Sequence, residues 1–474
     1  MGNERADYPR VLVITGDALG APTGTGLTLA NLFHGWPLDR ISQIHCDAAP
    51  PSPEICSEAR RLSAADVPVD RLVRGLLGKR KERILGRAPP GLPSGVGRAT
   101  SWLGVVHDVA SAWADCFSMR LPSSYWAWVE ANRPEVIYSM PGSIRLMSLV
   151  LYVSRRLSLP VVPHFMDDWP VTRYRTSFLC APPRWKMVSR LGAVIRRSPL
   201  GMTISEAMAE EYQGRYGIRF EAFMNCVEVP GDCPTVASRD DAPVRFAYVG
   251  NLHLNRWRAL LDVGTALNAL QREGIRAELL VYAPAADIEQ HRQSLSAVPG
   301  IRIAGSLSAA DIPAALRAAD VLVHVESFDP AVSKYTRLSL STKLPQYMAA
   351  GRPILAYGPA TLASCRYVAG SRCGVVVGSE ERDALLAAAR GLAAQPLQRA
   401  DLGRCGWQAA ANRHSATAAR EAFRTALAEA AAVGLPSSGR TVAPGDSEAD
   451  EVIQCPEAAP IAVGGTSAGR GGTI

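Results

Sequence analysis

VRFAYVGNLHLNRWRALLDVGTALNALQREG, running from Val244 to Gly274, is the stretch whose reading decides the fold. Its first residues form an apolar run that closes on Gly250, the pattern of a buried strand. A short loop carrying Arg256 and Arg258 leads into a long amphipathic helix. The same alternation recurs downstream. AELLVYAP from Ala277 and IRIAG from Ile301 read as strands, AADIPAALRAAD as a helix, and VLVHVES from Val321 as a strand. LPQYMAAG reads as a helix stopped by Gly351, and RPILAYG as the next strand. Strands joined through helices by short connections predict a parallel sheet.

The N-terminal half shows a weaker version of this pattern. VLVITGD, Val11 to Asp17, is a strand followed by the loop LGAPTGTG and the helical run LTLANLF, which is how a Rossmann-like unit opens. Gly24 and Gly26 fall in that first strand-to-helix loop, where a missing Cβ lets the backbone approach a ligand. PEVIYSM, SIRLMSLVLYVSRRL and LPVVPHF continue as strand, helix and strand. Ser205 is placed to cap a helix beginning at Glu206, and Gly217 to stop it. The Pro, Asp and Gly-rich segment Gly231 to Pro243 marks a boundary. At 474 residues the chain exceeds one core. The expected division is an N-terminal domain at 8–232, a C-terminal domain at 243–398, helices at 399–433 and a disordered tail at 434–474.

Composition narrows the classes. No apolar run reaches the length needed to span a bilayer, and MGNERADYPR has no apolar core, so neither a spanning segment nor a secretory signal is expected. Ten scattered cysteines without a C-x-x-C pair point to a reducing cytoplasm and away from structural zinc. The formal charge of +7 comes with no nucleic-acid-binding motif. Part of it lies in RLVRGLLGKRKERILGR, Arg71 to Arg87, with seven basic residues and one acid. That run reads either as an amphipathic helix lying on an anionic inner membrane face or as an ordinary helix with a solvated basic side.

Taken in order, RFAYVGNLHLNRWRALLDV, IRIAGSLSAADIPAALRAADVLVHVES and STKLPQYMAAGRPILAYG resemble the retaining GT-B glycosyltransferases of the group 1 (family 4) superfamily. TGTG, PHFMDDWP, the SEAM helix and MNCV in the first half agree with it. The resemblance covers about residues 8 to 430. It implies two facing Rossmann-like domains with a cleft, a UDP- or GDP-sugar donor, a glycan or lipid-linked saccharide acceptor, retention, and no metal. The reaction develops negative charge on a leaving diphosphate, which fixed cations and dipoles must meet.

In the family a basic residue after the equivalent strand contacts the diphosphate. Arg256 best matches its offset, Arg258 less well, and Lys343 reaches the same cleft mouth. The family's two glutamates, seven residues apart, match Glu326 and, after a longer loop, Gln346. The resemblance sets Gly24 and Gly26 across the cleft from them. Tyr282, near a strand end, is a candidate neighbour of the base. In HFMDDWP, His164 either contacts the donor sugar or is a core histidine. Asp168 orients a loop or binds acceptor hydroxyls, with a metal on the paired aspartates as the alternative. An epimerase of the same architecture and a non-catalytic glycan- or nucleotide-binding protein are the competing readings. A nicotinamide oxidoreductase lacks its glycine fingerprint here.

Overall fold

The computed structural model describes residues 8–21, 23–63, 102–119, 121–234 and 242–436. The basic run Arg71–Arg87 and residues 437–474 of the expected tail lie outside them. Among the described residues thirteen short strands pair, all in parallel, into two sheets. The first has β1 (Val11–Ile14), β2 (Ile41–His45), β3 (Glu58–Arg61), β4 (Val136–Ser139), β5 (Val161–Phe165), β6 (Gly201–Thr203) and β7 (Phe220–Ala222), in the order β3-β2-β1-β4-β5-β6-β7. The second has β8 (Val244–Val249), β9 (Ala277–Tyr282), β10 (Ile301–Gly305), β11 (Val321–Val325), β12 (Ile354–Tyr357) and β13 (Gly374–Val377), in the order β10-β9-β8-β11-β12-β13.

Helices α1 (Gly24–Phe33), α2 (Trp102–Asp115), α3 (Ser123–Asn132), α4 (Ile144–Leu157), α5 (Trp169–Thr172), α6 (Ala181–Ile195) and α7 (Glu206–Tyr216) accompany the first sheet. With the second go α8 (Arg256–Arg272), α9 (Ala285–Ser296), α10 (Ile312–Ala318), α11 (Pro330–Thr336), α12 (Leu344–Ala349), α13 (Ala363–Gly370), α14 (Arg382–Ala394), α15 (Pro396–Arg413) and α16 (Ala416–Val433). The period of two along each strand splits the first core. Leu12 and Ile14 face α4, α6 and α7, while Val11 and Val13 face α1 and α16. Ser205 accepts from Met208 N and Gly217 adopts a left-handed conformation, so α7 is capped as its sequence predicts.

Each sheet reverses strand order at its centre, between β1 and β4 and between β8 and β11. Crevices at such reversals, beyond the carboxyl ends of the strands, are where open parallel sheets take ligands. Two adjustments to the expected layout matter. Gly24 and Gly26 belong to the first turn of α1 rather than to a loop, with Thr23 capping through Gly26 N. A side chain at Gly26 would put Cβ 2.3 Å from the Ala21 carbonyl oxygen, so the tight entry to the helix requires glycine. Helix α16 also returns to the N-terminal domain, because Phe423 fits edge-on against Phe33 and Tyr138. Its start pairs with the outgoing connection: Val227 N donates to His414 O and Ala416 N to Val227 O, at 2.9 and 3.0 Å.

A third connection is the longer loop between β11 and α12. Asp329 caps α11 by accepting from Ala331 N and Val332 N. Beyond it, Tyr335 and Leu338 enter the core of the N-terminal domain. Ser205 Oγ donates to Leu338 O at 2.6 Å, and Arg337 pairs with Glu211 at 3.1 Å. Residues 327–343 therefore form a strap from the second sheet into the first domain. Leu338→Ala should lower the unfolding free energy of the N-terminal domain by about 2–5 kcal/mol. The matching change at Leu397, which stands in solvent, should move it by less than about 0.5 kcal/mol. Urea titration followed by tryptophan emission reads both.

Candidate functional site

The C-terminal reversal gathers the charged residues. Arg256 opens α8, and its position is set by unusual backbone: Leu254 and Asn255 both adopt left-handed φ, 57° and 59°. Non-glycine residues pay about 1–2 kcal/mol each there. Asn255 gives no side-chain cap, and an arginine in the first turn opposes the helix dipole. Local stability is thus not what selects this helix start. The arrangement aims the guanidinium at Glu326, with Nη2 3.2 Å from Oε2, while Nη1 donates to Asn251 Oδ1 at 3.1 Å.

Glu326 follows β11 and is buried, its amide donating to Tyr357 O. Burial alone would raise its carboxyl. Arg256, His324 and Lys343 together outweigh that, and the pKa falls to about 2. His324 Nε2 lies 3.3 Å from Glu326 Oε1, and burial lowers the imidazole's pKa while that carboxylate opposes the shift. Lys343 donates to Tyr248 Oη at 3.0 Å and stacks its ammonium 4.1 Å from that ring's centre. Its stem lies over Gly250, where φ is +150° and a Cβ would sit 2.5 Å from Nζ. Burial, then Arg256, presses the Lys343 ammonium well below its usual pKa, with Glu326 only partly opposing.

The N-terminal domain closes the other side. A Cβ on Gly24 would come within 3.2 Å of the Thr342 hydroxyl, so the first turn of α1 meets the residue beside Lys343. Asn225, from the MNCV segment, donates to Thr342 O at 2.8 Å. The two aspartates of HFMDDWP are split. Asp167 accepts from Tyr335 Oη (2.9 Å) and Ser339 Oγ (2.7 Å) of the strap. Burial raises its pKa, while those bonds and Arg256 lower it. Asp168 is fully buried and held by Tyr212 and by both Nη atoms of Arg215. These bonds tie its side chain to α7. Among the described residues no group of three or more His, Cys, Asp and Glu could hold a metal.

The structure brings Arg256, Glu326, Lys343 and Gly24 together and leaves other candidates apart. Arg258 is exposed and lies over Trp257. Tyr282 packs half-buried at the end of β9 on the core between β8 and α12. Gln346 is half-buried on α12, and its side chain makes no hydrogen bond among the described residues. His164 has the place of a core histidine. It lies on the Val162 face of β5, with Nδ1 2.6 Å from Tyr138 Oη. His324, Tyr248 and Asn251 were missed in the sequence. His324 had a signal, since it stands two residues before Glu326 in a strand-end pattern.

Burial pushes the His164 pKa to about 3, from an ordinary 6.5, against the opposing backbone of Thr203 and Phe223. Between those values the unfolded chain binds a proton that the folded chain refuses. Stability is therefore full above about pH 6.5 and falls as pH drops toward 3. His164→Gln should flatten that limb in pH-dependent denaturation while leaving ligand-induced thermal protection intact. His414, pushed by burial to about 4, leaves a residual slope. Loss of protection with an unchanged acid limb would return His164 to the ligand site.

Residues 243–395 match the family model described as Glycosyl transferases group 1. No curated protein matches the chain by sequence. Solved structures match nearly end to end. Anabaena Alr3699/HepE in complex with UDP has a TM-score of 0.55 at 13% identity, covering 89% of this chain and 100% of that one. Sucrose-phosphate synthase from Thermosynechococcus elongatus gives 0.56 at 14%, covering 87% and 97%. A trehalose 6-phosphate synthase from Burkholderia multivorans gives 0.57 at 11%, covering 90% and 99%.

Proposed function

We propose that this chain, a GT-B glycosyltransferase fold whose C-terminal domain carries the group 1 glycosyl transferase pattern, transfers a hexosyl group from a nucleotide sugar to a glycan or lipid-linked saccharide. One observation carries the reading: Arg256, Lys343 and Glu326 meet at the carboxyl ends of β8 and β11, facing the first turn of α1. Burial and Arg256 disfavour the charge on Lys343, and a diphosphate at this site would favour it again. HepE has been captured with UDP and with UDP-glucose, and the proposal extends that ligand class to this chain.

In this reading the Arg256 guanidinium and the α1 and α8 amino termini receive the charge that grows on the leaving diphosphate. A phosphate beside Lys343 favours its ammonium form, against the burial that disfavours it. Glu326, freed in part from Arg256, accepts from a donor-sugar hydroxyl, and the Gln346 amide reaches a ribose hydroxyl. Acceptor attack from the face that the leaving group vacates gives retention, with the departing phosphate oxygen taking the acceptor proton. No metal takes part.

Thermal unfolding against a panel of nucleotide sugars is the first experiment, since a ligand of the native state raises its apparent stability. Product analysis with acceptors separates transfer from epimerisation. Arg256→Gln should lower kcat/KM by about 10²–10³-fold. Cooperative unfolding should persist, because Lys343 still faces Glu326. Activity near that of the parent at limiting donor would remove Arg256 from the reaction. Activity should also survive exhaustive chelation, and a complete loss restored by magnesium or manganese would overturn the metal-free mechanism.

A further inference from the structure

One side of the N-terminal domain is inverted, with large apolar groups outward. On α2 the exposed positions Trp102, Val106, Ala110 and Trp113 follow helical spacing, and Phe117 stands just beyond them. The polar Asp108 is turned in and buried. A helix folded only onto its own domain shows the opposite arrangement. Beside it, the 3-10 turn Phe178–Cys180 holds Phe178 85% exposed, and α6 presents Trp185 at 75% and Val188. Trp113 Nε1 donates to Leu179 O at 3.0 Å and Lys186 Nζ to Cys116 O at 2.7 Å. The aromatic groups therefore stand on tied backbone as one surface, and contiguous exposed apolar area of this kind marks a contact face.

Charge says what the face meets. Between Trp169 and Ser205 the sequence has seven basic residues and no acid. Arg175 is exposed, Lys186 and Arg190 are half-buried, and none of the three joins an ion pair among the described residues. The two acids of α2 are engaged inward: Asp108 lies beside His107, and Asp115 accepts from Ile144 N and Tyr174 Oη. The sequence entering α2 at Trp102 contains the basic run Arg71–Arg87. Indole groups favour the headgroup layer of a bilayer, and arginine and lysine favour anionic lipid. No described helix is long and apolar enough to cross a membrane, so contact is along the surface.

We infer that the face formed by α2, the Phe178–Cys180 turn and α6 docks the protein on an anionic bilayer, Trp102, Phe178 and Trp185 entering the headgroup layer and Arg175, Lys186 and Arg190 meeting lipid phosphates. The turn follows α5 directly from Asp167 and Asp168 at the cleft. An acceptor anchored in that bilayer thus reaches the cleft along the same edge. Docking itself needs no donor. Only its use rests on the lipid-linked acceptor of the proposed function.

The test is co-sedimentation of the full chain with vesicles of phosphatidylcholine, alone or mixed with phosphatidylglycerol, at low and physiological salt. Binding should require the anionic lipid, weaken with salt and blue-shift tryptophan emission. F178S/W185S and R175E/R190E should each reduce partitioning about tenfold or more. Their unfolding midpoints should stay unchanged, since these side chains stand at the surface. Recovery in the supernatant with every vesicle overturns the inference. So does binding that both double variants leave intact but that glutamine at Arg74, Lys79, Arg80 and Lys81 abolishes. Self-association without vesicle binding, lost in F178S/W185S, would make the face an interface between copies and equally overturn it. Thermal protection by nucleotide sugars, measured alongside, separates the two proposals: vesicle binding without protection rejects the donor, and protection without vesicle binding rejects the docking face.

Discussion

Glu326 pairs with Arg256 and lies in the field of Lys343, and much of the C-terminal domain's local structure makes sense only as service to that meeting. Arg256 reaches it through two left-handed residues and an uncapped helix start. A sequence selected for helix stability would place a capping side chain and an acid there. Lys343 reaches it only because Gly250 leaves room for its stem. Burial first, and Arg256 after it, press Lys343 to give up its proton, with Glu326 only partly opposing. Strain of this kind persists when the surroundings over-determine it, and such positions concentrate at functional sites.

The long interval between Glu326 and Gln346 has a physical account. Its residues build α11 and the strap, which places Tyr335 and Leu338 in the other domain's core and satisfies Asp167 with Tyr335 and Ser339. The length of this interval thus bears on how the domains are joined. It leaves Glu326 at the strand end and Gln346 on α12, where the sequence set them.

Legibility followed the length and repetition of the signal. Strands β8, β9, β11 and β12 are apolar runs, β8 and β12 flanked by proline and glycine, and could be read directly. Strands β6 and β7 have three residues each, too few to show a period, and β3 is EARR at a sheet edge. Arg256 and Arg258 could not be told apart by type or offset. Residues two apart on a helix point about 200° from one another, so one enters the cleft and its neighbour faces water. Asp167 and Asp168 divide in the same way, one to the strap and one to Arg215. His164 could not be resolved because a histidine in a strand reads alike whether it lines a cleft or a core, and only the partner, Tyr138, decides. The inverted face of α2 was invisible for a related reason: an apolar stripe specifies a contact but not what it contacts.

The strap also decides how firmly the cleft is held. Two domains in one chain are expected to move relative to each other unless their contact is large and apolar. The paired crossings at Val227 and Ser415 contribute two hydrogen bonds, each about 0.5–1.5 kcal/mol net. Withdrawing the strap would expose Tyr335 and Leu338, at about 1.5–3 kcal/mol for a side chain of that size, and would strip two donors from Asp167 in a buried setting. The strap therefore outweighs the crossings as the tie between the domains. Its ends, Ser327 beside Glu326 and Lys343 itself, adjoin the charged cluster. The segment that holds the domains together is the one that carries two of the three charged groups to its ends, so a change in the position of either domain is felt directly at the site.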